Sequence, residues 1–174
     1  MDQESISYET VNDVWNKLIQ TPPEQAQEIV EEMEREQPEV MFFLLDLEDF
    51  PFNEHEAQII FTSGLIVWQI MLHSIQPIGR VTDQMLDQAE DANYEFLEML
   101  AGDTAADFDS ASMAMVEHYS EPEVLRFVVE SVMEDEAYDP SDPPIREEYR
   151  GLAFVHLKTE LDAFIASRQG ETWV

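Results

Sequence analysis

The stretch from Asn53 to Leu72, NEHEAQIIFTSGLIVWQIML, carries the strongest structural signal in the chain. Asn53 and Glu56 have the spacing of a capping box, in which each side chain bonds to the backbone N–H of the other at a helix start. An apolar run follows, and Pro77 and Gly79 then provide helix stop signals. The run is shorter than the ~20 residues that a bilayer span needs. The stretch therefore predicts a buried central helix.

Helical periodicity continues on both sides of this stretch. Apolar residues recur at steps of three and four, whereas no segment shows the alternation typical of a β-strand. Thr21, Thr82 and Ser120 stand where a side chain would cap the helix that follows. The predicted helices cover residues 8–20, 22–36, 40–48, 54–74, 83–101, 103–119, 121–133 and 145–167.

The fold class predicted from these helices is all-α. We expect a compact bundle of about seven or eight helices, because amphipathic helices bury their apolar stripes against one another. Residues 1–174 are expected to form a single acidic domain, with residues 168–174 as a flexible tail.

Two segments resemble each other and indicate a duplicated helix hairpin. Residues 38–46 read PEVMFFLLD, and residues 122–130 read PEVLRFVVE. A long predicted helix with a Gly-Leu pair follows each segment, at Gly64 and at Gly151. Repeated helix hairpins occur in HEAT-like proteins, but two copies are fewer than a stable solenoid needs. A compact bundle is therefore the prediction, and HEAT-like packing is the alternative.

The charge of the chain is extreme, with 39 acidic residues against eight Lys and Arg and a net charge of −31. Such a surface repels nucleic acid and anionic membranes, so neither is expected as a direct ligand. It favours a basic protein partner, divalent cations or a salty cytosol. No Lys or Arg occurs between Arg80 and Arg126. The candidate acidic interaction face within this stretch consists of Asp83, Asp87, Glu90, Asp91, Glu95 and Glu98.

The chain has no cysteine, which excludes disulfides, thiolate metal sites and a cysteine nucleophile. This absence favours a reducing compartment. The N-terminal residues MDQESISYET show neither the basic nor the apolar region of a signal peptide. A cytoplasmic location is therefore expected.

Motifs for metal or catalytic chemistry fail at specific positions. None of the four histidines follows a glutamate by three residues, as a di-iron bundle requires. His55 and Glu56 begin a zinc-protease pattern, but Ile59 stands where its second histidine belongs. Two acidic clusters lack the ligand alternation of an EF-hand. They are Asp103, Asp107 and Asp109, and Asp135, Asp139 and Asp142. No catalytic, metal-binding or cofactor-binding residue is assigned, and no cofactor is expected.

Several notable residues are predicted to belong to the core. Trp15 and Trp68 fit apolar stripes of their helices. His73 and His156 lie in apolar helical patterns, where a histidine is more often a hydrogen-bonded core residue than a catalyst. Gly64 costs about 1 kcal/mol relative to alanine within a helix, so we expect another helix to approach it closely.

Three classes of function follow from these observations. The first is a non-enzymatic protein–protein interaction or regulatory module with an acidic helical surface, which includes mimicry of nucleic acid as a special case. The alternative is a salt-adapted helical protein whose charge reflects its environment. A small enzyme or metal-binding protein, with a site assembled only in three dimensions, is the least favoured class. The oligomeric state is left open.

Overall fold

A computed structural model describes residues 4–99, 105–133 and 143–168, and the side chains of residues 105–109 lie outside this description. The described residues form eight α-helices and no β-strand, which confirms the predicted all-α bundle. The helices are α1 (Tyr8–Ile19), α2 (Pro23–Glu36), α3 (Pro38–Leu45), α4 (Glu54–Met71), α5 (Asp83–Met99), α6 (Ala105–Glu117), α7 (Pro122–Met133) and α8 (Arg150–Ala166). A 3₁₀ turn, Glu147–Tyr149, leads into α8. Within the described ranges, no helix has both the length and the apolar character to cross a membrane.

Two of the four predicted side-chain caps, those of Asn53 and Thr82, are present, and Ser120 lies two residues before α7 begins at Pro122. The capping box of α4 is complete, since the Glu56 backbone N–H donates to Asn53 Oδ1 at 2.8 Å and the Asn53 N–H donates to Glu56 Oε1 at 3.0 Å. Thr82 accepts from the Met85 N–H at the start of α5. The prediction for Thr21 is wrong, because its hydroxyl donates to the Lys17 carbonyl at the end of α1. No side chain caps α2, which begins at two prolines whose fixed φ suits a helix start.

The central helix of the bundle is α8, which packs on α4, α5 and α7. Residues on all of its sides are buried, including His156, Lys158, Thr159 and Glu160. The apolar residues of α8 alone therefore underestimate how much of this helix is buried. Apolar periodicity did not indicate this burial, because several of the buried side chains are polar. The predicted burial of α4 is confirmed, with Trp68 fully enclosed, but the central place predicted for α4 belongs to α8.

The helix contacts favour a compact bundle over HEAT-like packing. In a solenoid each repeat contacts only its neighbours. Here α1 packs on both α4 and α7, which are distant from it in sequence. The helices of each hypothesised hairpin, α3 with α4 and α7 with α8, do contact each other. The first helices of the two hairpins differ in length, with 8 residues in α3 and 12 in α7. The duplication therefore stays a hypothesis.

Gly64 provides the close approach that the sequence predicts. A Cβ atom at this position would lie 2.6 Å from Leu44 Cδ2 of α3 and 3.0 Å from Glu160 Oε2 of α8. Non-bonded carbon atoms need about 3.5 Å or more. The missing side chain therefore lets α3 and α8 both pack against the middle of α4.

Three predictions about single residues are wrong. Trp15 is 40% exposed, because α1 packs on its neighbours through Val11 and Val14 and leaves Trp15 at the edge of the contact. His73 is exposed, because α4 ends at Met71 and the chain turns away from the core. Arg168 is buried and forms an ion pair with Glu121, so the flexible tail does not include it. The rest of the predicted tail, residues 169–174, lies outside the described residues.

Candidate acidic interaction face

The six residues of the candidate acidic interaction face all lie on α5. Successive positions four residues apart fall on one side of a helix, about 6 Å apart along its axis. Five of the six are exposed, namely Asp83, Asp87, Asp91, Glu95 and Glu98, and we call these five the α5 acidic stripe. Glu90 is half-buried at its border, so its expected place on the open face is only partly correct.

Carboxylates crowd one another along the α5 acidic stripe. Burial raises the pKa of Glu90, and the neighbouring carboxylates of Asp87 and Asp91 raise it further. At the start of the helix, a side-chain hydrogen bond with Asp83 raises the pKa of Glu39 on α3, and the nearby charge of Asp83 adds to this effect. No residue of α5 is a Lys or an Arg. The helix therefore presents negative charge to solvent without a positive charge of its own.

The inner side of α5 is fastened to α8 by a buried polar network that the sequence did not predict. Lys158 Nζ donates to Asn93 Oδ1 and to Asp162 Oδ2, each at 2.8 Å. Asn93 Nδ2 donates to Asp162 Oδ2 at 2.9 Å and to Thr159 Oγ1 at 3.1 Å. The spacing of Lys158 and Asp162, one helical turn apart, was the signal in the sequence. Nothing local linked them to Asn93.

Tyr119 completes this network from the segment before α7. Its hydroxyl donates to Asp162 Oδ1, and Lys158 Nζ lies 5.3 Å from the centre of its ring. Burial raises the pKa of Tyr119 well above its ordinary value, and the charge of Asp162 and the hydrogen bond to it act in the same direction. The phenol therefore stays a hydrogen-bond donor. Because Lys158 and Asp162 balance each other, the network holds α5 in place without presenting a charge of its own.

Two titratable residues on α8 have unpartnered polar atoms in the core. His156 Nε2 lies 3.1 Å from the Phe43 carbonyl, its ring stacks on Phe43 at 4.0 Å, and its Nδ1 has no described partner. Burial lowers the pKa of His156 to about 4, against a weaker opposing effect of the Phe43 carbonyl. Neither carboxylate oxygen of Glu160 has a described partner, and burial raises its pKa well above its ordinary value. Burial therefore favours the neutral form of both side chains.

Metal-ligating side chains do not converge within the described part of the chain. No group of three or more His, Asp or Glu residues has the geometry to hold a metal ion there. Of the four histidines, His156 stacks in the core and His55 contacts the Pro143 carbonyl through Nε2 at 2.9 Å. The side chains of both acidic clusters, around Asp107 and Asp139, lie outside the described residues.

The α5 acidic stripe is thus the feature on which a functional interpretation of the predicted residues rests. It is exposed, ordered along one helix and fixed to the core from behind. The chain matches no protein-family model, no curated protein and no solved structure.

Proposed function

We propose that this protein is a non-enzymatic interaction module that binds a basic surface of another protein through the α5 acidic stripe. The observation that carries the proposal is the run of five exposed carboxylates on a helix without a cation. A row of like charges on a fixed helix steers an oppositely charged partner and sets the register in which it binds. The asparagine and lysine network behind α5 keeps the row from rearranging.

The first experiment compares two variants in a pull-down from native lysate, with bound proteins identified by mass spectrometry. In the α5 variant, Asp87→Asn, Asp91→Asn, Glu95→Gln and Glu98→Gln remove four charges from the stripe. Asp83 is left unchanged because its charge affects Glu39 of α3, and Glu90 is left unchanged because it is half-buried. In the matched α2 variant, four exposed carboxylates of another helix are neutralised, by Glu24→Gln, Glu28→Gln, Glu31→Gln and Glu34→Gln.

We expect the native protein to capture a stoichiometric partner that dissociates as salt is raised. The α5 variant should lose that partner by about tenfold or more in affinity, and the α2 variant should retain it. Equal weakening by both variants would mean that net charge alone attracts the partner. Unchanged binding by the α5 variant would remove the stripe from the interaction.

Mimicry of nucleic acid is a special case of the same proposal. The carboxylates of α5 would then occupy the places of backbone phosphates on a DNA-binding or RNA-binding protein. This case is tested by competition, since the captured partner should release the protein when duplex DNA or RNA is added. A partner that holds nucleic acid and this protein together would contradict mimicry.

The second candidate function assigns the charge to a salt-rich environment. Exposed carboxylates also line α2, a separate helix that packs on α3. Only two residues of the whole chain are lysines, Lys17 and Lys158. In this case stability should depend on salt, and the two variants should behave alike.

A further inference from the structure

A groove runs across the side of the molecule formed by α1, α4 and α7. It consists of two adjoining cavities of about 480 and 610 Å³. Trp15, Phe127 and Ser131 line both cavities, so the two lie side by side along these helices. We call this feature the α1–α4–α7 groove. Since α5 packs on α8, whereas α1 packs on α4 and α7, the groove and the α5 acidic stripe belong to different faces.

Large apolar side chains are exposed along the α1 wall of this groove. Tyr8, Trp15 and Ile19 are 59%, 40% and 55% exposed, and all three line it. Their spacing places them on one side of α1, over three turns or roughly 16 Å. Exposed aromatic residues beside a concave surface are typical of protein-binding sites, where such residues supply most of the binding energy.

The charges at the groove narrow the chemistry of its occupant. Glu123 and Glu130 of α7 line it together with Arg126, whose Nε lies 3.5 Å from Glu123 Oε2. The guanidinium is therefore offset, and Glu130 remains as an exposed carboxylate at the rim. With a net charge of −31 behind these residues, a partner must bring positive charge to be attracted.

A second copy of this chain fits the groove poorly, because two molecules of −31 each repel as they approach. Nucleic acid is repelled for the same reason. The length and the apolar lining fit an amphipathic helix, which binds in grooves through anchors at positions i, i+3 or i+4, and i+7. Lysine or arginine beside those anchors would meet Glu130 and the faces of Trp15 and Tyr8, where cations are attracted to the ring.

We propose that the α1–α4–α7 groove docks an amphipathic helix of a partner protein, with large apolar anchors on one side and Lys or Arg along the edges. The inference goes beyond the proposed function, because it concerns a second face and a different contact chemistry. Apolar anchors supply the affinity here, and charge supplies the selection of a basic partner.

The test uses the full chain and a fluorescein-labelled designed peptide of about 18 residues, with Leu on one helical face and Lys on the other. Anisotropy at physiological salt should show saturable binding. Trp15→Ser combined with Ile19→Ser should weaken it by about tenfold or more, since both side chains are exposed and their loss leaves the core intact. Asn12→Lys, which adds a cation between Tyr8 and Trp15 on the same wall, should weaken it as well.

Two controls separate this docking from general attraction. A peptide of the same composition with its Leu residues scattered around the helix should bind at least about tenfold more weakly. The α5 variant defined above should bind the designed peptide within about twofold of the native protein. Equal binding of both peptides, or full binding by the Trp15→Ser, Ile19→Ser variant, overturns the inference. Neither result bears on the partner captured by the α5 acidic stripe, so the two proposals fail separately.

Discussion

Glu160 and His156 lie one turn apart on α8, and the core imposes opposite demands on their protons. Burial raises the pKa of Glu160, so its carboxyl keeps a proton over a pH range in which an unfolded chain has lost it. Burial lowers the pKa of His156, so its ring stays neutral where an unfolded chain would take up a proton. Glu160 therefore lowers stability as pH rises above its unfolded pKa, and His156 lowers stability as pH falls below its unfolded pKa.

Replacing Glu160 should stabilise the protein at neutral pH. As pH rises above the unfolded value of about 4.5, the unfolded state is favoured by ionising this carboxyl, so native Glu160 costs stability. Glu160→Leu should raise the free energy of unfolding in urea at pH 7 by about 1–3 kcal/mol, because it removes an unpartnered polar group. Glu160→Gln keeps the shape and cannot ionise, so it should flatten the loss of stability with rising pH. An unchanged pH slope in Glu160→Gln would contradict this account.

Replacing His156 should protect the protein in mild acid. The folded pKa of about 4 lies below the unfolded value of about 6.5. The contribution of His156 to stability is therefore complete above pH 6.5 and falls by roughly 3 kcal/mol as pH drops to 4. His156→Gln retains a donor for the Phe43 carbonyl and does not titrate. Urea unfolding between pH 7 and 4 should show a smaller loss for this variant, and a loss equal to that of the native protein would rule out His156 as the cause.

At the scale of the elements, Glu121 joins three parts of the chain. Its Oε1 accepts from Arg168 at the end of α8, and its Oε2 accepts from the Ile6 N–H before α1 at 2.8 Å. Glu121 itself directly precedes α7. The sequence offered no signal for this contact, since its partners are 47 and 115 residues away.

Removing this carboxylate should be costly. Glu121→Ala leaves Arg168 as a buried unpaired charge and the Ile6 N–H without an acceptor, so unfolding in urea should show a loss of about 3–5 kcal/mol. The matched control is Glu123→Ala, two residues further on. Its pair with Arg126 is partly solvated, so its loss should cost less than about 1 kcal/mol. Equal losses of unfolding free energy in the two variants would show that burial does not determine how much the Glu121–Arg168 pair contributes to stability.

The difference between local and long-range contacts explains how much of the structure the sequence could predict. Helices and the Asn53 capping box depend on residues within one or two turns, and the local pattern found them. Thr21 was misassigned because two helices competed for one hydroxyl. The place of Asn93 beside Lys158, and of Trp15 at the rim of a groove, depends on contacts between helices that no local pattern encodes. The spacing of the six acidic residues placed them along α5, and five of them are exposed, while their role as an interaction face stays a prediction.

For the whole molecule, the net charge of −31 acts on every state in which the chain is compact. Folding brings 39 carboxylates closer together, and the raised pKa of Glu39 beside Asp83 is a local sign of that crowding. The α5 acidic stripe and the exposed carboxylates of α2 both contribute to this repulsion. A binding surface and an adaptation to salt would look the same in the sequence, because composition reports the sum of the charges and not their purpose.

Measurements at different salt concentrations separate a binding surface from an adaptation to salt. Added KCl shortens the range over which the carboxylates repel one another, from about 10 Å at 0.1 M to about 3 Å at 1 M. The unfolding temperature should therefore rise by roughly 5 °C between these concentrations. Each variant, with four carboxylates neutralised on α5 or on α2, should melt higher than the native protein at low salt and gain less from KCl. If the charge serves only the environment, the two variants should match in both melting and partner capture. If the α5 acidic stripe is a binding surface, they should match in melting and differ in capture, while a melting temperature indifferent to KCl would remove the environmental explanation.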